Sequence, residues 1–282
     1  MYSLFKLEKF DNWNNLIKYY LDIRKKWNEW IFRGQSNSKW DLETKIERVA
    51  YRKYKIPRKK IPHIEAGLLR KFKRQYHIYS NYIPNDNSKI EWLSIMQHHG
   101  APTRLLDFTY SFFVALFFAV ENVAPNQYCA IWAVDPQWIS DLSKSRLPSY
   151  LLEKSLESKE PEIINKIYWH NPPIPLIFAE SSIILNQRLT AQQGVFLVPG
   201  DITLSFNDNL KAVVNKNECY EHLIKIEIYC TKDFLTDAYE ELYRMKLDAV
   251  TLFPGIDGFA RQLESLILVP NAIWVDENEI AS

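Results

Sequence analysis

Between Gln97 and Thr109 the chain reads Gln-His-His-Gly-Ala-Pro-Thr-Arg-Leu-Leu-Asp-Phe-Thr, and it then runs into the wholly apolar stretch Phe112 to Val120. Seven hydrogen-bonding or titratable side chains are thus crowded beside a segment that must be buried. An unpaired buried polar group costs roughly 1–3 kcal/mol, so a core flank that carries several of them is expected to form a site. His98 and His99 are the side chains here whose type titrates near neutrality, which makes them candidate general bases. Adjacent residues point apart, so His98 is taken to line the site and His99 to sit at a helix end before Gly100. Arg104 and Asp107 could also simply pair with each other. A spacing of three suits neither strand alternation nor a helix entered after Pro102, so a turn or irregular strand end is expected.

A second candidate is Arg33, which follows the apolar Trp30-Ile31-Phe32 and precedes Gly34 and Gln35. A forked guanidinium can hold a pyrophosphate bidentately, and a missing Cβ lets a ligand approach the backbone. An internal salt bridge, for instance with Asp107, is the structural alternative. Gln192 and Gln193 can accept hydrogen bonds from a ribose hydroxyl but supply no negative charge. Asp257, between Gly255 and Gly258, is expected in a tight turn that presents it to a cleft or spends it as a helix cap.

The elements that must position these residues follow from periodicity. Trp13, Leu16, Ile17, Tyr20, Leu21 and Ile23 predict an amphipathic helix over residues 11 to 26 with Asp11 as N-cap. Trp30 to Phe32 reads as a strand ending at Arg33-Gly34. Leu42, Ile46 and Val49 suggest a second helix, broken by Pro57 and Pro62. A third runs from Glu65 to Tyr79 with Leu68, Leu69, Phe72 and Tyr76 inward, and a short one precedes Gln97. Residues 111 to 122 read as a buried helix capped by Ser111. Strands are expected at Cys129 to Val134, Ile183 to Leu185, Gly194 to Val198 and Leu223 to Tyr229, and a late helix at Phe234 to Met245. The fold class is therefore α+β, a single domain over residues 1–282 whose helix-rich N-terminal third packs on a mixed or antiparallel split sheet.

Composition narrows the function classes. The 282 residues are 47% hydrophobic, enough for a sizeable core without disulfides or metal. No apolar run approaches the roughly 20 residues of a membrane span. The amino terminus lacks the pattern of a signal peptide, and Cys129, Cys219 and Cys230 show no paired spacing, so a cytoplasmic location, no membrane and no metal are expected. Neither a Rossmann nor a P-loop glycine pattern is present, and no G-x-S-x-G elbow supports a Ser/His/Asp triad.

The net charge of +1 hides an asymmetry. Between Lys45 and Arg74 lie twelve Lys or Arg and two Glu, a balance of +10, which leaves 23 basic and 32 acidic residues, or −9, elsewhere. Arg48, Arg52, Lys53, Lys55, Arg58, Lys59 and Lys60, interleaved with Tyr51 and Tyr54, are candidates for binding RNA or DNA, with a solvated helix face as the alternative.

Phe32-Arg33-Gly34-Gln35, the Gln97 to Thr109 block and Ala115-Leu116-Phe117-Phe118-Ala119 resemble the FRG domain family. So, in order, do Asn186 to Phe196 and Leu252 to Ala260, so that the motifs span residues 32 to 260. The layout is also similar to the ADP-ribosyltransferase fold. There a strand ends in Arg, a Thr-bearing strand leads into a helix, and a Gln or Glu segment precedes Val-x-Leu-x-Pro-Gly, here Gln192 to Gly200. That resemblance implies NAD as substrate. Arg33, Gly34 and Gln35 would lie at its phosphates, Thr103 and Arg104 would order the ribose side, and a catalytic group set of His98, Asp107, Gln192 and Gln193 would promote transfer. It further implies a toxin or defence effector that modifies a nucleic acid or protein, with an inhibitory partner protein left open. The chain departs from the pattern where a glutamate is expected and Gln192-Gln193 stands instead. Asp107, Glu121 or Asp257 would then supply the carboxylate, or the acceptor needs no such carboxylate, or the protein binds a nucleotide or nucleic acid without turnover. Metal-assisted hydrolysis through Asp107 or Asp257 is the remaining alternative.

Overall fold

The computed structural model describes residues 4–25, 29–157, 160–181, 187–214 and 218–269. Seven strands form one sheet: β1 (Lys6–Phe10), β2 (Ile31–Gln35), β3 (Leu106–Thr109), β4 (Gln127–Val134), β5 (Ile177–Glu180), β6 (Gly194–Pro199) and β7 (Leu223–Cys230). Their order is β1-β7-β4-β2-β3-β6-β5. The β1–β7 pair is parallel and the other pairs are antiparallel, so the sheet is mixed and the class α+β. The expected strand at Ile183 to Leu185 lies outside the described residues.

Helices cover both faces of the sheet, as side-chain alternation along the strands requires. In β2, Ile31 joins one apolar cluster and Phe32 the other; in β4, Trp132 and Val134 face the first, and Cys129, Ile131 and Ala133 the second. The second cluster is closed by α1 (Trp13–Arg24), later by α4 (Phe112–Val120), and by two helices near the carboxyl end. The first is closed by α2 (Ile61–Tyr76), α3 (Lys89–His98), α5 (Pro136–Lys144), α6 (Ser149–Glu157) and α7 (Pro161–Tyr168). The short α8 (Gln187–Ala191) leads into β6, α9 (Phe206–Val213) adds to the first cluster, and α10 (Cys219–His222) precedes β7. The helices near the carboxyl end are α11 (Lys232–Arg244) and α12 (Ala249–Leu252), followed by α13 (Ile256–Leu266).

Several local expectations are corrected. Asn12, not Asp11, caps α1, its Oδ1 accepting from the Asn15 amide at 3.2 Å. Pro62 does not break a helix. It occupies the first turn of α2, where a missing N–H costs nothing, so that helix starts four residues before Glu65 and ends at Tyr76. The second helix around Val49 is a π-helical turn, Glu47–Lys53. β2 runs through Arg33 and Gly34 to Gln35 rather than ending there. Ser111 caps α4 as expected, accepting from the Val114 amide at 3.3 Å.

The Gly34 position has a packing cause. A Cβ there would lie 1.9 Å from the Ala115 carbonyl oxygen and 2.6 Å from the Ala119 amide nitrogen. Glycine is required because α4 presses on β2, not because a ligand approaches the backbone. This contact holds α4 against the centre of the sheet. Beside it the sheet opens: β2 and β3 share the single pair Phe32↔Thr109, whereas β2 pairs with β4 over five residues.

Candidate functional site

The opening between β2 and β3 is the mouth of a cavity of about 1020 Å³. Arg33, Gly34 and Gln35 contribute from β2, Asp107, Phe108 and Thr109 from β3, and Gln97 and His98 from the end of α3. Cations dominate its remaining wall: Lys39, Arg48, Arg52, Lys53 and Arg261. Asp41, Glu43, Asp107 and Glu121 are its carboxylates, and Trp40, 54% exposed, stands in the same lining.

Arg33 is the best-defined member. Its Nη1 donates to the Asp107 carbonyl oxygen at 2.7 Å and lies 4.0 Å from that residue's Oδ2. Its Nε is buried and makes no hydrogen bond. Burial holds its pKa below the usual arginine value; Asp107 pulls it upward, and Arg48 pushes it down. A largely desolvated guanidinium that keeps one nitrogen without a partner beside a large cavity is arranged to receive an anion.

Asp107 is held by a relay. Its Oδ1 accepts from Gln97 Nε2 at 2.7 Å, and Gln97 Oε1 in turn accepts from the Thr103 hydroxyl. The Asp107 side chain is 61% exposed toward the opening. Thr103 therefore acts behind the site: it is fully buried and does not line the cavity.

Arg104, expected near the ribose, is elsewhere. It is 2% exposed, donates from Nε to both Glu65 oxygens at 2.9 and 3.0 Å, pairs with the same carboxylate through Nη2, and donates to the Tyr168 carbonyl at 2.8 Å. The Trp169 ring covers it at 4.5 Å. It does not pair with Asp107, because its guanidinium is turned to Glu65 of α2. Gln35 is also committed to the protein. Its Oε1 accepts from Trp132 Nε1 at 2.7 Å and its Nε2 donates to the Asp41 carbonyl at 3.2 Å.

The third block divides likewise. Gln192 lines the cavity, but its Nε2 donates to the Leu252 carbonyl at 3.0 Å and its own carbonyl accepts from Thr109 Oγ1 at 2.7 Å. Gln193 is exposed, outside the cavity, with φ 48° in the turn before β6. His98 lines the cavity; His99 is the C-cap residue of α3 and does not. Asp257 is exposed in the first turn of α13, after Gly255, and does not reach the cavity.

The basic run separates into two groups. Arg48, Arg52 and Lys53 turn into the cavity because the π-helical turn carries them there. Arg48 Nη1 donates to the Glu43 carbonyl at 2.6 Å, and Arg52 pairs with Glu43 at 2.5 Å and Asp41 at 3.6 Å. Arg58 pairs with the buried Glu47 at 2.6 Å and lies over the Tyr51 ring at 4.0 Å, so it is a structural residue. Lys55, Lys59 and Lys60 are exposed and outside the cavity.

Sequence reading missed Lys39, Trp40, Glu43 and Arg261. Arg261 Nη2 donates to Glu121 Oε2 at 2.8 Å, and its guanidinium lies 4.2 Å from the Phe253 ring centroid. Its position directly after the Leu252 to Ala260 block was the available signal. Among the described residues no group of three or more His, Cys, Asp or Glu side chains is arranged to hold a metal ion, and no helix is long and apolar enough to cross a membrane.

Residues 28–127 match the family model of the FRG domain, so the chain carries an FRG domain. The match covers β2, the relay from Gln97 to Asp107, and α4; the blocks at Asn186 to Phe196 and Leu252 to Ala260 lie outside it. No curated protein and no solved structure matches the chain.

Proposed function

We propose that the cavity binds NAD and that the protein transfers its ADP-ribosyl group to an acceptor. The observation that carries this reading is the half-buried Arg33 side chain, with its buried, unpartnered Nε, in the opening between β2 and β3. The cavity, at about 1020 Å³, is at the upper end of the roughly 300–1,000 Å³ typical of ligand sites, room enough for a dinucleotide. Arg33 would take the pyrophosphate, with Arg48 beside it.

In the reaction the bond between ribose C1′ and the nicotinamide nitrogen breaks, and its electron pair neutralises the pyridinium charge. An acceptor nucleophile forms the new bond to C1′ and gives up its proton. The developing oxocarbenium ion needs a nearby anion. Asp107 is suited to this, since its Oδ1 is fixed by Gln97 while the carboxylate stays exposed to the cavity. His98, on the same wall, is the candidate to take the acceptor proton. Gln192 is not used chemically in this reading, because its amide is bound to the Leu252 carbonyl.

That same amide favours a second reading. Without a carboxylate in the third block the cavity would bind a nucleotide as a signal and release nothing. One experiment separates the two. Wild type and Arg33→Ala are incubated with NAD labelled on its adenylate phosphate plus cell extract, and nicotinamide release, label in protein, RNA and DNA, and the NAD-induced change in melting temperature are followed. Transfer predicts nicotinamide release matched by label in one macromolecular fraction, both lost in Arg33→Ala. Thermal stabilisation without nicotinamide release supports the binding module. Neither stabilisation nor turnover removes NAD from the proposal.

A further inference from the structure

Helix α2 divides into two faces. Ile61, Leu69 and Tyr76 are buried, with Leu68 and Phe72 packed against the same core. The opposite face is exposed and carries Lys60, at the helix N-cap, with His63, Arg70, Lys71 and Arg74, which recur at helical spacing. Neighbouring cations are spent on the protein: Lys73 is held by Asp86 at 2.8 Å and Arg58 by Glu47. Lys60, Arg70, Lys71 and Arg74 make no side-chain ion pair or hydrogen bond among the described residues.

Gly67 lies at the centre of this stripe. Glycine is a poor residue for a helix interior, and neither a turn nor close packing requires it here, since a Cβ would meet nothing within 4 Å. Its effect is a notch in the basic face where the helix backbone can be approached. From Lys60 to Arg74 the face extends about 21 Å at 1.5 Å per residue. A duplex strand presents a phosphate about every 3.4 Å along its axis, so the face is long enough to follow about six of them.

The geometry points to a nucleic-acid backbone as the occupant: the Lys60 to Arg74 face of α2 docks the sugar–phosphate chain of a polynucleotide, without reading its bases. Charge complementarity supports it, because Lys60 to Arg74 holds five Lys or Arg against the single Glu65, a balance of +4, in a chain whose overall charge is only +1. A membrane surface fits less well. A helix lying in a lipid interface inserts its apolar face, and that of α2 is already buried in the core. The docking face is separate from the cavity and does not depend on what the cavity holds.

The test uses the whole protein without NAD, measuring fluorescence anisotropy of labelled random-sequence duplex DNA and single-stranded RNA between about 50 and 200 mM salt. Contact of the four cations with about four phosphates gives a log–log slope of roughly −3 to −4 on duplex DNA. The triple variant Arg70→Glu, Lys71→Glu, Arg74→Glu should weaken binding at least about tenfold and flatten the slope by about three. Gly67→Leu fills the notch without changing charge; it should weaken binding severalfold while circular dichroism shows an intact fold. No binding to either polymer, binding insensitive to salt, or variants that bind like wild type would each overturn the proposal. So would capture by anionic phosphatidylserine vesicles with no binding to either polymer.

Discussion

Arg33 and Arg104 both lie in the most recognisable stretches of the chain, yet the structure treats them oppositely. Arg104 meets Glu65 through several hydrogen bonds, two backbone carbonyls and the face of Trp169, and is 2% exposed. Arg33 meets one backbone carbonyl at hydrogen-bond distance and one carboxylate at 4.0 Å, and keeps a buried Nε without a partner. A guanidinium whose donors are nearly all used inside the protein fixes α2 to the segment before β3. One left incomplete beside a cavity holds binding capacity in reserve. Between these two arginines, partner satisfaction, not the residue type or its motif, separates scaffold from site.

The sharpest way to break this comparison is to truncate each arginine. Arg104→Ala strands the Glu65 carboxylate in the core, and the expected loss is about 3–5 kcal/mol of unfolding free energy. Arg104→Met combined with Glu65→Leu should recover much of it, because the uncompensated charge is gone. Arg33→Ala should change stability by less than about 1 kcal/mol, since its carboxylate partner is mostly exposed. Denaturant unfolding of the four proteins reads these differences. Equal losses for the two single variants would erase the distinction.

Gly34 tests the same division one residue further along β2. Its missing Cβ faces α4, so Gly34→Ala should cost about 1–3 kcal/mol or somewhat more through overpacking against the Ala115 carbonyl. Ligand affinity of the molecules that still fold should stay near wild type, because the added methyl points into the helix and not into the cavity. Thermal unfolding together with NAD titration would check both halves. A stable variant that had lost NAD binding would return Gly34 to the ligand.

The contrast also explains what could be read from the sequence. Strands β4, β6 and β7 and helix α4 were legible because their apolar runs decide burial locally. Lys6–Phe10 and Ile177–Glu180 were not, since β1 is an edge strand with a mostly exposed pattern and β5 is a four-residue edge. The expected site set included Arg33, His98 and Asp107, which line the cavity, and also Thr103, Arg104 and Gln193, which do not. Nothing in the residues near Arg104 announces Glu65, which is 39 positions away. Likewise Lys39, Glu43 and Arg261 join the cavity through tertiary folding that brings the segment before the π-helical turn and α13 beside β2 and β3.

Glu43 gives the smallest effect and the finest probe of the cavity wall. Burial, and then the charge of Glu47, hold its carboxyl above the ordinary glutamate value, with Arg52 opposing. The folded state therefore binds more protons than the unfolded one between the two pKa values. This contribution to stability is fully present below the unfolded pKa and declines as pH rises through the folded one. Asp86, held below its ordinary value by Lys73, has the opposite sign: its contribution is lost as pH falls through its folded pKa. Glu43 shares the cavity lining with Arg33 and Arg48, so a phosphate-bearing ligand meets less repulsion once Glu43 is protonated. NAD affinity should rise as pH falls from about 7 toward the carboxylate range near 4. Glu43→Gln should flatten that profile. A profile of unchanged steepness in Glu43→Gln would mean that the titrating group lies elsewhere and that Glu43 belongs with Glu65 among the scaffold carboxylates.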